Sequence, residues 1–283
     1  MIFKKGDPSV CANYRPICLT AVAYRVYASM IKQRLLDAGL DGRLWHSQFG
    51  FRSGRSTVDA IFVARRRIEL ACTQRGGQVS LLALDWAKAF DSVHVGRLTH
   101  CLQRFGIRGQ TLSAITGLMR NRRFFVQDCG CQSTLREQCS GISQGCTLSP
   151  LLFVTVMTAV MHDAVSFLPP DARAAYDRGD LADVVYADDT LLLGANAKQI
   201  EVSLRAVAAA GRAHGLELHE DKFQLLQVRC SPVVKHNNQD QIASRTSMTY
   251  LGASLASDGR VGSELSRRIG AAKGDFRSLS KVW

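Results

Sequence analysis

Val184-Val185-Tyr186-Ala187-Asp188-Asp189-Thr190-Leu191-Leu192-Leu193 sets a polar break between two apolar runs. The pattern predicts two strands joined by a tight turn, with Asp188 and Asp189 at the tip. Two adjacent carboxylates repel each other and lose hydration together, so a cation has to compensate them. Hard divalent ions suit that role, because Mg²⁺ takes one or two protein carboxylates together with substrate phosphates. A third carboxylate, Asp85, closes another strand-like run, Val79-Ser80-Leu81-Leu82-Ala83-Leu84. Three such carboxylates are the makings of a two-metal phosphoryl-transfer site.

The charge around this centre is unevenly spread. The 283 residues carry 36 Lys+Arg against 24 Asp+Glu, a net +12. Residues 1–76 hold 13 basic and 5 acidic side chains, residues 77–228 hold 14 and 15, and residues 229–283 hold 9 and 4. Basic flanks around a near-neutral, carboxylate-bearing middle suit a nucleic-acid groove with a metal site in its floor. A generally basic surface accounts for the charge alone equally well. A hydrophobic share of 46% and a charged share of 21% are those of a folded soluble protein, with one large or two smaller domains.

Nine cysteines bring no metal-binding or disulfide pattern: there is no CxxC pair, and Cys129-Gly130-Cys131 is a lone CxC. The expectation is reduced thiols in an intracellular protein, nuclear or cytoplasmic. The start, Met1-Ile2-Phe3-Lys4-Lys5-Gly6, has no secretory signature. The longest apolar run, Leu151 to Val165, is interrupted by Thr155, Thr158, His162 and Asp163. It predicts a buried helix and no membrane partner.

Periodicity and punctuation place the remaining elements. Residues 20–36 predict a helix whose apolar stripe is Ala23, Val26, Tyr27, Met30, Ile31 and Leu35. Ser56-Thr57-Val58-Asp59 reads as a capping box opening a helix to about Leu70. A helix over Val93 to Phe105 follows the Asp85 strand. Ser149-Pro150 supplies an N-cap and an N1 proline for the buried helix, and Pro169-Pro170 ends it. A helix from about Lys198 to His214 stops at Gly215. Leu225 to Val228 and Met248 to Leu251 read as short strands, and Gly262 to Trp283 as a basic helix. Strands and helices mix without regular βαβ alternation, so the fold class is α+β.

Seven blocks in order carry a resemblance. They are Asn13-Tyr14-Arg15-Pro16-Ile17, Gln48-Phe49-Gly50-Phe51-Arg52-Ser53-Gly54-Arg55-Ser56-Thr57, Asp85 through Ala89-Phe90-Asp91, Gly141-Ile142-Ser143-Gln144-Gly145-Cys146 through Leu148-Ser149-Pro150-Leu151, Tyr186-Ala187-Asp188-Asp189, Gly215-Leu216 through Lys222, and Tyr250-Leu251-Gly252. Together they resemble the reverse transcriptase domain of non-LTR, LINE-type retrotransposons over nearly the whole chain. The resemblance implies a right-hand polymerase fold with fingers (1–76), palm with finger insertions (77–255) and a truncated thumb (256–283). It implies RNA-templated addition of deoxynucleotides (dNTPs) to a DNA primer 3′-hydroxyl, with two Mg²⁺ ions and Mn²⁺ as a substitute. The chain begins inside the first block and ends inside what the resemblance makes the first thumb helix, so a fragment or a truncated gene model is expected.

The same resemblance assigns roles. Asp85 and Asp188 match the main metal ligands and Asp189 the supporting carboxylate. Phe90 matches the aromatic residue under the incoming sugar, where a ring leaves no room for a ribose 2′-hydroxyl. Gln144 matches a nucleotide contact in a glycine-bearing loop; this chain has Thr147 where the family usually has Pro. Arg15 matches the triphosphate contact, and Lys222 a lysine near the carboxylates, in the most divergent block. Tyr186 is expected under the nucleotide–primer junction. Lys4, Lys5, Arg52 and Arg55 are expected on nucleic-acid backbone, although Lys4 and Lys5 fit solvated surface charge as well. Arg65-Arg66-Arg67 reads as a solvated helix face and His219 as a surface residue.

Other readings share part of these features. Viral RNA polymerases place Gly before the Asp pair, where this chain has Ala187, and lack the ring at Phe90. A group II intron-type reverse transcriptase differs mainly in domains outside this chain. A catalytically inactive, truncated or domesticated relic that binds RNA is the reading of a different class; intact Asp85, Asp188, Asp189 and Phe90 argue against it, and the expected truncation argues for it.

Overall fold

The computed structural model describes residues 2–280 apart from 4, 5, 16, 129 and 237–239. In chain order, β1 (Ile2–Phe3) pairs antiparallel with β2 (Tyr14–Arg15), and α1 (Val22–Asp37) and α2 (Thr57–Thr73) follow. Next come β3 (Val79–Leu84), α3 (Ala89–Ser92), α4 (Val95–Arg104) and α5 (Gly109–Met119). Two small ribbons pair β4 (Arg123–Phe124) with β7 (Arg136–Glu137), and β5 (Gln127–Asp128) with β6 (Cys131–Gln132). Then follow α6 (Ser149–Ser166), α7 (Pro170–Asp177), β8 (Leu181–Tyr186), β9 (Asp189–Gly194) and α8 (Ala197–His214). The chain continues through β10 (Gln224–Val228), β11 (Ser244–Arg245), β12 (Ser247–Tyr250), β13 (Ala253–Ala256) and α9 (Gly262–Leu279).

The central sheet has the order β11-β10-β3-β9-β8. Strand β3 is antiparallel to both of its neighbours, β10 and β9, with Leu82 opposite Leu192 and Leu225. Alternation along the strands divides the core. Leu82, Leu84, Leu192, Val185 and Leu225 face α6 and α8, whereas Leu81, Leu191, Leu193, Val184 and Leu226 face α2 and the β12–β13 hairpin. The sheet is therefore buried on both faces, which explains why its strands read as nearly continuous apolar runs. Helix α6 is long and apolar enough to cross a membrane by length and composition, and 78% of it lies inside the protein. It is apolar on all sides because it is surrounded by other elements.

The capping box of α2 is present, with Asp59 Oδ2 accepting from Ser56 N at 2.7 Å and Oγ at 2.8 Å. Gly215 takes φ +82° at the end of α8, as its C-cap position requires. Two expectations change. In α1 the buried residues are Ala28, Ile31 and Leu35, while Val26, Tyr27 and Met30 are exposed; the apolar stripe is wider than the surface it packs on. In α6 the N-cap is Leu148, and Ser149 is already helical, its Oγ buried without a partner among the described residues. Pro170 opens α7 as well as following α6, a helix that two prolines hid from the sequence. The expected final helix is present to Leu279; residues 281–283 lie outside the described residues.

Candidate active site

The central strands carry Asp85, Asp188 and Asp189 to one end of the sheet. Leu84 pairs with Thr190, so Asp85, the next residue, emerges beside Asp189. The β8–β9 turn is tight: Tyr186 pairs with Asp189, and Ala187 takes φ +57°. Asp85 is held further by the returning chain, since His219 N donates to Asp85 O at 2.8 Å and Ala87 N to Glu217 O at 2.8 Å. The same return brings Lys222 in, its Nζ donating to Asp85 Oδ1 and Oδ2 at 3.3 and 3.4 Å. Asp85, Asp189, Thr190, Lys222, Gln224 and Tyr250 are among the residues lining one open cleft.

Electrostatics marks the cleft as short of positive charge. Burial pushes the Asp189 carboxyl up to about 6, with Asp188 and then Asp85 pushing in the same direction. Asp189 still reaches solvent at the cleft mouth, but protein crowds it on its other sides. Asp188 is also raised, first by burial and then by Asp85, while its own backbone and Arg15 work the other way. Arg15 is exposed on β2 and its charge is felt at Asp188. Burial, then Asp189 and Asp183, push the Tyr250 phenol upward, and its hydroxyl has no hydrogen-bond partner among the described residues.

These features test the fit of divalent ions. Among the described residues, no three His, Cys, Asp or Glu side chains stand ready to share one ion. The donors are nevertheless hard carboxylate oxygens whose mutual repulsion a divalent cation would relieve. The donor chemistry of Asp85, Asp188 and Asp189 fits such ions.

The loop of Gln144 is fastened beside the short helix that carries Phe90. Ile142 N donates to Phe90 O at 2.8 Å, and Gly141 N to Val93 O at 2.9 Å. A Cβ on Gly141, at φ +85°, would lie 2.9 Å from Asp91 Cα, so only glycine permits this approach. Thr147 hydrogen-bonds the Ser29 hydroxyl of α1 at 3.1 Å, which anchors a position where proline would have supplied stiffness. The Phe90 ring stacks on Phe153, centroids 4.2 Å apart at 16°, and meets Phe51 edge-on at 6.4 Å. Tyr186 is half-buried and packs into both halves of the core.

Two residues expected on nucleic-acid backbone are engaged within the protein. Arg52 is committed to the fold: Nη2 reaches Asp41 Oδ2 at 3.0 Å and Asp41 O at 2.7 Å, with Nη1 on Trp45 O, and its side chain is 8% exposed. Arg55 donates to the carbonyls of His46 and Gln48 and lies over the Phe49 ring. Both guanidiniums satisfy loop carbonyls that have no strand partner. Lys4 and Lys5 lie outside the described residues. One contributor had no signal in the sequence. Arg122 donates to Gly141 O at 2.6 Å and Ser143 Oγ at 3.0 Å, pinning the Gln144 loop, and burial lowers its pKa.

The profile of the family "reverse transcriptase (RNA-dependent DNA polymerase)" matches residues 2–255. The chain belongs to the reverse transcriptase family. Its relatives are non-LTR retrotransposon polymerases. It is 28% identical over 236 residues to a Pol polyprotein from the type-1 retrotransposable element R2 of Popillia japonica, covering 82% of this chain and 32% of that protein. It is 31% identical over 196 residues to a probable RNA-directed DNA polymerase from transposon BS of Drosophila melanogaster, covering 68% and 20%. The reverse transcriptase chain thus spans a third or less of these relatives. The fold is similar to telomerase from Candida Tropicalis in complex with a TWJ fragment of telomeric RNA, with a TM-score of 0.58 at 12% identity, covering 83% of this chain and 36% of that one. The right-hand polymerase fold expected from the sequence is the fold observed.

Proposed function

We propose that this reverse transcriptase domain extends a DNA primer on an RNA template with dNTPs, as part of a LINE-type retroelement. The observation that carries the reading is that Asp85 and Asp189 line one cleft with Asp188 beside them, Asp189 being pushed up to about 6 by burial and then by Asp188 and Asp85. Two divalent ions bound there, Mg²⁺ with Mn²⁺ as a substitute, would activate the primer hydroxyl and offset charge on the leaving pyrophosphate. Asp85 and Asp188 position them. Lys222, now on Asp85, supplies a movable cation at the same place. Phe90 sets the wall against a 2′-hydroxyl, the Gln144 loop lies alongside it, Tyr186 supports the primer end and Arg15 meets the triphosphate. Free thiols at all eight described cysteines suit a reducing nuclear or cytoplasmic compartment.

Primer extension on a homopolymer RNA template tests the proposal. Mg²⁺- or Mn²⁺-dependent incorporation of the complementary dNTP is expected. A chain that binds the primer–template and adds nothing supports instead the relic reading, a protein that binds RNA without polymerising.

A further inference from the structure

We propose that Gln48 is a positioning residue that fixes the catalytic turn from behind; this rests on the reading of Asp188 and Asp189 as catalytic. Strand β8 is the sheet's edge, and residues 47–49 pair with it. Val185 N donates to Ser47 O at 3.0 Å and Phe49 N to Val185 O at 2.7 Å. The Gln48 side chain, 0% exposed, then reaches beyond the strand to the turn. Its Oε1 accepts from Ala187 N and from Gly50 N, both at 2.8 Å, and its Nε2 donates to Ala187 O at 3.4 Å. One amide therefore holds both polar groups of the residue that precedes Asp188.

Ala187 needs such a hold. It is a non-glycine residue at φ +57°, a conformation L-residues adopt at a cost and retain only when the surroundings enforce it. Its backbone is buried, so an unpaired N–H there would be penalised. Gly50 makes the close approach possible, since a Cβ there would lie 2.3 Å from Ala187 N. Releasing the amide lets Ala187 relax toward negative φ, which turns the two carboxylates that follow it.

The test uses the whole chain with Gln48→Met, which keeps the volume and removes both polar groups, and Gln48→Glu, which keeps the shape and the acceptor. Hydrogen exchange at the Ala187 amide, Mn²⁺ affinity by calorimetry and melting temperature are measured on each. Gln48→Met is expected to speed Ala187 exchange about tenfold, the worth of one hydrogen bond, and to weaken Mn²⁺ binding. In primer extension kcat should fall while the KM for dNTP holds. Gln48→Glu should keep Ala187 protected. Wild-type exchange and Mn²⁺ affinity in a folded Gln48→Met variant would overturn the proposal. So would losses in both variants that merely track melting temperature. A wild-type chain that extends no primer contradicts the proposed function instead, and Ala187 exchange still decides the role of Gln48.

Discussion

Phe90 is held between two rings, stacked on Phe153 and edge-on to Phe51. It therefore has a packing role beside the proposed sugar gate. Phe90→Val should lower stability by about 1–2 kcal/mol through the lost stack. It should also shift the preference for deoxynucleotides over ribonucleotides by roughly 10²-fold. Incorporation rates beside a melting curve separate the two, and an unchanged ratio in a folded variant leaves Phe90 as packing alone. Asp189 gives a second expectation. Its carboxyl is raised from 3.8 to about 6, so between those values the folded protein binds more protons than the unfolded chain. Stability of the metal-free protein should therefore fall as pH rises from about 4 to about 6. Added Mg²⁺ should raise the melting temperature more at pH 7.5 than at pH 5.5. Equal Mg²⁺ shifts at both pH values would contradict the assignment of Asp189 to the ion site. The three carboxylates were legible because a polar break between apolar runs is visible in one dimension. Gln48 and Arg122 were not, because the contacts that give them their roles, to the backbone of Ala187 and Gly141, lie 139 and 19 residues away.

Among the elements, β3 and α8 are locked by one contact. Trp86, the residue after Asp85, lays its ring against Gly211 of α8, and its Nε1 donates to Thr190 Oγ1 at 3.1 Å. A Cβ on Gly211 would lie 2.3 and 2.5 Å from the ring carbons Cζ3 and Cη2. Gly211→Ala gains about 1 kcal/mol of helix propensity and loses about 1–3 kcal/mol to overpacking. The expected outcome is a lower melting temperature together with slower extension, because the displaced ring adjoins Asp85. A higher melting temperature would show that the ring yields freely. Elements with strong signals were legible: the Asp85 strand, the carboxylate hairpin, the capping box of α2 and the glycine stop of α8. Helices α5 and α7 and the small ribbons over 123–137 escaped: α7 and the ribbons are short, and α5 opens after Arg108 with no capping side chain to mark its start. The face of α1 was misread because periodicity shows which residues could be buried, while the neighbouring surface decides which are.

For the whole molecule, the net charge of +12 overstates the basic surface free to meet nucleic acid. Arg229 donates to the carbonyls of Ala71, Cys72 and Gln74 at the end of α2, and Arg97 to those of Arg212 and Ala213 at the end of α8. Arg43 reaches Ala38 O after α1 and Phe105 O after α4. These guanidiniums sit on the carbonyls and negative ends of helices. Charge counted along a sequence cannot separate them from groove-lining residues, whereas the ordered blocks identified the fold because they report chemistry at fixed places in it. The proposed division of labour gives nucleotidyl transfer to the carboxylate cluster and primer–template binding to other surfaces. Its most direct test compares wild-type and Asp188→Ala chains in primer extension and in primer–template binding at one ionic strength. Extension should fall by at least about 10³-fold with binding unchanged. Extension by Asp188→Ala at the wild-type rate would mean that the carboxylate cluster is not the catalytic centre.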